Sequence, residues 1–98
     1  MAEEEGKPML LRELLGETLR EERVHQGRTL REVSGMARVS LGYLSEVERG
    51  QKEASSELLA AICTSLDLPL SSLLSTVSDK LVISERPIHP VAEVRAAA

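Results

Sequence analysis

The sequence contains no phenylalanine or tryptophan and a single tyrosine, so its hydrophobic core must be built from aliphatic side chains. Leucine supplies most of these, and runs of β-branched residues are short, which favours helices over strands. A chain of 98 residues suits one compact domain and is too short for two. These features predict an all-α fold.

Cysteine and histidine are also scarce, and this excludes most of the sites that depend on them. Cys63 is the single cysteine, so no intramolecular disulfide or cysteine-based zinc site can form. It falls in an apolar helical pattern, and we expect a small buried residue rather than a reactive thiol. His25 and His89 have no carboxylates at a metal-ligand or catalytic spacing with Cys63. We therefore expect no catalytic residue, metal or cofactor, and no enzyme activity.

Long hydrophobic runs are absent as well. No stretch is long enough to cross a membrane, and the N-terminus is acidic rather than signal-like, so we expect a cytoplasmic protein without a membrane partner. The formal net charge of -4 argues mildly against nucleic acid as a partner. It is a weak argument, because a local basic patch governs binding and distant acids are screened within roughly 10 Å.

Apolar periodicity divides the chain into a leader, a helical domain and a tail. Residues 1–8 are charged and contain Gly and Pro, which predicts a disordered leader. The predicted domain spans residues 9–82, and its helices cover residues 9–26, 30–37, 41–49, 57–66 and 70–82. Residues 83–98 contain two prolines and are predicted to form a C-terminal tail.

The second and third helices carry the clearest local signals. Thr29 and Glu32 have the spacing of a capping box, so each side chain can accept from a free amide of the other residue. Ser40 is placed to cap the third helix, and Gly50 to end it. Two short helices joined by a tight turn at Arg38 predict a helix-turn-helix.

The segment LGETLREERVHQGRTLREVSGMARVSLGYLSEVERG, with the two helices after it, resembles the lambda-repressor-like (XRE) helix-turn-helix family. The resemblance covers residues 15 to about 80. Within the family, the run SLGYLSEVERGQKEASSELLAAIC is similar to the actinobacterial activators of Clp protease genes. The resemblance implies a five-helix DNA-binding domain of a nucleoid-associated transcriptional regulator. Such a regulator binds an inverted repeat in double-stranded DNA as a homodimer and controls Clp protease and related proteostasis genes.

The third helix is then the recognition helix, and its outward face is expected to read DNA. In the family the first two residues after the cap and one near the middle touch base edges, which here are Leu41, Gly42 and Glu46. Glu46 can accept from a cytosine amino group, and Leu41 suits a thymine methyl. Arg49 is expected to reach guanine or a phosphate.

A second set of residues is expected at the phosphates, where cations and hydroxyls are needed. Tyr43 is one of these residues, and partial burial of its ring with the hydroxyl in water is an equally good alternative to a phosphate contact. The resemblance also implies an ion pair between Arg23 and Glu48 that clamps the first helix to the recognition helix. The expected phosphate contacts are Arg28, Arg31, Arg38, Tyr43, Ser45 and Lys52.

Two residues depart from the family pattern. Leu30 replaces a Gln that usually touches phosphate at the start of the second helix. Arg38 replaces the usual Gly of the inter-helix turn, where a left-handed backbone would cost roughly 1–2 kcal/mol for a residue with a side chain.

The fifth helix and the tail suggest further partners. The apolar stripe of the fifth helix is expected to form a dimer interface, with intramolecular packing as the alternative; its residues are Leu70, Leu73, Leu74, Val77 and Leu81. The last residues, Val94 to Ala98, resemble the tags that Clp-type proteases recognise, although an inert tail is the simpler reading. The competing function is a protein-interaction module, such as an antitoxin or adaptor, that has kept the helix-turn-helix fold.

Overall fold

The computed structural model describes residues 9–85, so the predicted leader and residues 86–98 of the predicted tail lie outside the described residues. Within that range the chain forms five α-helices, which confirms the predicted all-α fold. They are α1 (Leu11–His25), α2 (Leu30–Ala37), α3 (Leu41–Glu48), α4 (Ser56–Ser65) and α5 (Leu70–Glu85).

The helix boundaries follow the capping residues. At α2 the Thr29 hydroxyl accepts from the Glu32 amide at 3.0 Å, and the Glu32 carboxylate accepts from the Thr29 amide at 2.8 Å. The Ser40 hydroxyl accepts from the Tyr43 amide at the start of α3. These bonds satisfy amides that have no partner inside the helix, so each helix begins where its cap stands.

Positive φ angles end four of the helices, α1 to α4, and at α4 the residue is Asp67 with φ 51°. Gly27 and Gly50 follow α1 and α3 with φ of 71° and 74°, as expected for left-handed helix ends. Arg38 closes α2 with φ 60° and ψ 42°, so the turn keeps the left-handed geometry although its residue is not Gly.

The core is aliphatic and continuous through all five helices. Leu44 and Val47 of α3 are buried, whereas 55% of the surface of Leu11 at the start of α1 is exposed. The buried apolar residues are Leu14, Leu19, Val33, Ala37, Leu44, Val47, Ile62, Cys63, Leu66, Leu73 and Val77.

The helix α1 is the central element, because it packs against both α3 and α5. The helix α5 runs antiparallel to it: the Met9 amide donates to the Ser84 hydroxyl at 3.0 Å, and Lys80 lies 2.8 Å from the Glu21 carboxylate. On the other side, α2 packs against α3 and α4. This arrangement leaves one long face of α3 and one flank of α5 uncovered.

The helix α5 continues to Glu85, three residues past the predicted end at residue 82. Residues 83–85 are therefore helical, although the sequence assigns them to the tail. The first proline after α5 is Pro87, so nothing in the sequence stops the helix at residue 82.

No single helix within residues 9–85 is long and apolar enough to cross a bilayer. Only α4 and α5 taken together reach the required length and hydropathy, and the chain bends by 104° between them.

Candidate nucleic-acid interface

The C-terminal end of α3 is held tightly against α1. A Cβ added to Gly16 would collide with the carbonyl oxygen of Val47 and lie 2.8 Å from that of Glu48, so only Gly allows this approach. One turn earlier, the Arg12 Nε donates to the Gly50 carbonyl at 3.0 Å. Contact between backbones at this distance fixes how far α3 can move relative to α1.

Arg23 and Glu48, the expected ion pair, reinforce the same junction. The Arg23 Nε and Nη2 donate to the two Glu48 oxygens at 2.7 and 3.0 Å, which is a bidentate geometry. The third nitrogen, Nη1, donates to the Arg28 carbonyl at 2.8 Å. The hydrogen bond to Glu48 raises the pKa of Arg23 against the opposing effect of burial, so the guanidinium stays charged. Because 13% and 6% of the two side chains are exposed, this pair is shielded from salt.

The N-terminal end of α3 is uncovered by contrast. Leu41 and Gly42 are both exposed, and a Cβ built on Gly42 would meet no atom within 4 Å. Leu44, which follows them, is fully buried, so this end is anchored from beneath. The helix α3 therefore presents a smooth, sterically open surface at its N-terminal end.

The middle of α3 carries the polar candidates. Glu46 is half-buried on the same helix. Arg49 lies back along the helix, because its Nη1 donates to the Ser45 hydroxyl at 2.6 Å and its Nη2 lies 3.4 Å from the Gln51 side-chain oxygen. In this conformation the Ser45 hydroxyl and the Arg49 guanidinium are hydrogen-bonded to each other. The sequence pattern does not indicate a role for Gln51, because this residue follows the helix in a loop without periodicity.

Tyr43 is half-buried and packs against the core. Its hydroxyl donates to the Glu53 carbonyl at 3.5 Å, a weak hydrogen bond that must be given up before the hydroxyl can donate to a phosphate oxygen. The ring therefore links α3 to the loop before α4.

Three of the expected phosphate-binding cations, Arg31, Arg38 and Lys52, are exposed. The ion pairs found within residues 9–85 use other cations, namely Arg12, Arg23, Arg28 and Lys80.

Arg28 differs from the expectation. Its Nη1 donates to the Ser65 carbonyl at 2.5 Å, and its Nη2 lies 3.9 Å from the Asp67 carboxylate. A guanidinium held in this way caps the C-terminal end of α4, where carbonyls lack helical partners. In this conformation Arg28 packs against the end of α4, and a phosphate contact would compete with the Ser65 carbonyl for its guanidinium.

Leu30 is half-buried and packs against the core.

Comparison with known families identifies this arrangement. The helix-turn-helix family model HTH_3 matches residues 19–73, which include α2, α3 and the Arg23–Glu48 pair. The chain belongs to the XRE-type helix-turn-helix family. The predicted family resemblance is thus confirmed.

Individual relatives within this helix-turn-helix family are close. The transcriptional regulator ClgR of Mycobacterium tuberculosis is 62% identical over 77 residues, covering 79% of this chain and 69% of the relative. Two crystal structures of the clp gene regulator ClgR from Corynebacterium glutamicum match with TM-scores of 0.73 and 0.76 at 48% and 43% identity. They cover 76% and 90% of this chain, and 96% and 93% of theirs. The restriction-modification controller protein C.AhdI from Aeromonas hydrophila matches at 27% identity and a TM-score of 0.62, covering 63% of this chain and 94% of its own.

The expected dimer stripe on α5 contains both buried and exposed residues. Leu73 and Val77 are buried in the core of the chain itself, with 0% and 3% of their surface exposed, so they are unavailable to a partner. Leu81 is half-buried, and Leu70 and Leu74 are 43% and 48% exposed. The first two therefore pack within the chain, as the alternative expects, and the remaining three form a more open flank.

Residues 9–85 contain no group of three or more His, Cys, Asp or Glu side chains placed to hold a metal ion. Cys63 is buried, and burial raises the pKa of its thiol, which keeps the sulfur protonated and unreactive at neutral pH.

Proposed function

We propose that the chain is a sequence-specific DNA-binding transcriptional regulator and that α3 is its recognition helix. The observation that carries this proposal is the difference between the two ends of α3. One end is fixed to α1 through Gly16 and Glu48, whereas Leu41 and Gly42 at the other end are exposed. A recognition helix enters the major groove by its N-terminal end, so the uncovered end is the one that DNA requires.

The side chains on this face suggest what is read. Glu46 is the proposed acceptor for a cytosine amino group, and Leu41 the contact for a thymine methyl. Gly42 lets the helix lie close to the bases. Arg49 reaches a guanine or a phosphate only after its hydrogen bond to Ser45 is broken. Breaking this bond costs free energy that the contacts of the other residues do not require.

Phosphate binding is assigned to the exposed cations Arg31, Arg38 and Lys52. The Tyr43 and Ser45 hydroxyls are proposed as secondary contacts. Three cations give little attraction to phosphates when the net charge of the protein is -4, so a single domain is expected to bind DNA weakly.

Dimerisation offsets this weakness. The proposed interface is the open flank of α5, formed by Leu70, Leu74 and Leu81. Leu70, Leu74 and Ser78 follow at intervals of four, so they form one ridge, and the small Ser78 permits close approach of a second helix. A two-fold dimer places two recognition helices about one DNA turn, ~34 Å, or a multiple of it apart on an inverted repeat.

The proposed targets are Clp protease and related proteostasis genes, which the protein would activate in the cytoplasm at the nucleoid. The 62% identity to a relative named ClgR, and the structural match to a protein described as a clp gene regulator, support this proposal. The terminal residues Val94 to Ala98 are proposed as a signal for Clp-type proteases and lie outside the described residues. An unchanged lifetime in cells after Ala97→Asp and Ala98→Asp would argue against that signal.

Selection of bound sites from random DNA duplexes tests the reading face directly. Glu46→Gln is expected to shift the preference from C towards A at one symmetric position of the site, because an amide pairs with adenine. Glu85→Gln, which makes the same change at the end of α5, is the control and should leave the site unaltered. If both variants select the wild-type site, Glu46 does not face the bases.

The competing function is a protein-interaction module such as an antitoxin or adaptor. The sparse reading face favours it, since Leu41 and Gly42 offer no hydrogen bond to a base. Salt dependence separates the two functions. Duplex DNA binding should weaken with a log–log slope of about -0.9 for each phosphate contact, whereas a partner whose affinity is insensitive to salt would indicate the module.

A further inference from the structure

A narrow apolar groove runs between α1, the end of α3 and the start of α4. Its volume is about 230 Å³, which is smaller than the roughly 300–1,000 Å³ of a site for a ligand of drug size. At about 30 Å³ for each water-sized group, it has room for a chain of about eight carbon atoms. Its apolar lining residues are Leu11, Leu15, Leu19, Val47, Ala54 and Leu59.

The floor of the groove is made of aliphatic side chains. Leu19 and Val47 form its deepest part, with 1% and 3% of their surface exposed, and Leu15 and Leu59 are half-buried beside them. An amide or hydroxyl laid on these side chains would lose its water without gaining a hydrogen bond from them, which costs free energy. A hydrocarbon chain has no such cost and gains from leaving water. The floor therefore selects an aliphatic chain over a peptide.

The edge of the groove is charged. The Arg12 Nη1 lies 3.5 Å from the Glu53 carboxylate, and the Arg12 Nε donates to the Gly50 carbonyl, so this guanidinium is already paired. Lys52, the third charged residue of the lining, is exposed and takes part in no ion pair within residues 9–85. Two cations thus stand against one carboxylate, and the excess positive charge is at Lys52. An anionic head group complements this edge.

We propose that the groove binds a medium-chain aliphatic carboxylate of about eight carbons. The hydrocarbon chain covers Leu15, Val47 and Leu59, and the carboxylate pairs with the Lys52 ammonium. Lys52 is also a proposed phosphate contact, so the consequence for DNA rests on the proposed function: a bound carboxylate competes with a phosphate for this cation. The ligand therefore lowers the affinity for DNA without contacting the exposed N-terminal end of α3.

Methyl NMR of the full chain, titrated with octanoate and without DNA, tests the site itself. The Leu15, Val47 and Leu59 methyl signals should shift saturably with one octanoate bound, while those of Leu74 on α5 stay in place. Octanol, which has the same chain without the charge, should bind up to about fivefold more weakly, because it loses one exposed ion pair. Octylammonium should bind more weakly still, since its charge repels Lys52.

Two variants separate the floor from the edge. Ala54→Leu places three more carbons in the groove and should abolish octanoate binding. Ala60→Leu makes the same change at an exposed position of α4 that does not line the groove, and it should bind octanoate like the wild type. Lys52→Gln should lower the affinity for octanoate to that of octanol. Arg31→Gln removes a cation from α2, away from the groove lining, and should leave octanoate binding unchanged.

The salt dependence of DNA binding tests the competition for Lys52. Saturating octanoate should lower the affinity of the wild type for its selected duplex and reduce the log–log salt slope by about 0.9, the contribution of one phosphate contact. In Lys52→Gln the slope should already be reduced by this amount, and octanoate should change it no further. Octanoate should have no effect on the Ala54→Leu variant.

Three results would overturn the proposed site. The first is a shift that grows linearly with octanoate and includes Leu74, which indicates an adventitious additive only. The second is octylammonium binding as tightly as octanoate. The third is tighter binding of N-acetylleucine, which would make a peptide C-terminus the occupant. Saturable octanoate binding with an unchanged salt slope would refute the competition with DNA. Failure of the ligand-free protein to bind any duplex would instead refute the proposed function, while the NMR titration still decides the site.

Discussion

Gly16 of α1 lies directly beneath the carbonyl of Val47 in α3, and no side chain fits between them. The contact joins the central helix to the C-terminal end of the recognition helix. It explains why a residue that costs up to about 1 kcal/mol in a helix interior stands in the middle of α1.

Gly16→Ala should destabilise the domain although alanine is the better helix former. The new Cβ must displace α3, and overpacking of this kind costs typically 1–3 kcal/mol, which exceeds the gain in helix propensity. Gly35→Ala in α2 is the matched control, because a Cβ there meets no atom within 4 Å. It should be neutral or stabilise by up to about 1 kcal/mol. Urea denaturation followed by circular dichroism measures both, and equal stabilities would mean that the helices can separate freely.

Glu48→Ala should lower the free energy of unfolding by roughly 3–5 kcal/mol, because it leaves the Arg23 guanidinium shielded from water without its carboxylate. Replacing both partners, Arg23→Met with Glu48→Leu, should cost less than Glu48→Ala, since no charge is then left unpaired. Denaturation of the three proteins gives the comparison. A double variant that loses as much stability as Glu48→Ala, or more, would show that the unpaired Arg23 charge is not what destabilises Glu48→Ala.

Much of this fold was predictable because its signals are local. Thr29 with Glu32 and Ser40 mark helix starts through side-chain contacts three residues away, so no tertiary information is needed. The inward positions of Leu44 and Val47 follow from helical periodicity in the same way.

The structure adds what the sequence does not show where a tertiary partner decides. Arg28 has the charge of a phosphate contact, but the Ser65 carbonyl lies within its reach, and sequence spacing cannot show this. Arg49 differs, because its contact with Ser45 is local, four residues back along α3, and spacing alone permits this contact without requiring it. On α5 the periodicity gives the whole stripe, whereas the position of α1 determines that Leu73 is covered and Leu74 is not.

Arg38→Gly should separate the structural and binding effects of this residue. Arg38 is left-handed at φ 60°, so glycine should relieve strain and raise the free energy of unfolding by about 1 kcal/mol. The same change removes a proposed phosphate contact and should reduce the log–log salt slope by about 0.9. Arg38→Ala is the control, because it removes the charge without relieving the backbone. An unchanged salt slope in both variants would exclude Arg38 from the phosphate set.

Leu74→Arg should weaken the proposed dimer while the monomer stays folded, because Leu74 is 48% exposed and lies outside the core. Leu73→Arg is unsuitable for this purpose, since Leu73 is fully buried and a charge there would unfold the chain. Asp79→Arg is the control; Asp79 is exposed and lies about 140° around α5 from Leu74. Sedimentation velocity over a concentration series measures association. The interface lies elsewhere if both variants dimerise like the wild type.

Gly42→Ala offers the most direct test of how α3 meets DNA. The Cβ points into open space in the protein alone, so the variant should be as stable as the wild type or gain up to about 1 kcal/mol from helix propensity. Against a base edge the same methyl group would occupy the space between helix and groove, and we expect weaker binding to the selected site. Gly35→Ala again serves as the control, since it adds a methyl group at an equally open position on α2. Affinity is measured by fluorescence anisotropy at fixed salt. Equal affinities of wild type and Gly42→Ala would place Gly42 away from the bases, and α3 would then have to enter the groove by a different face.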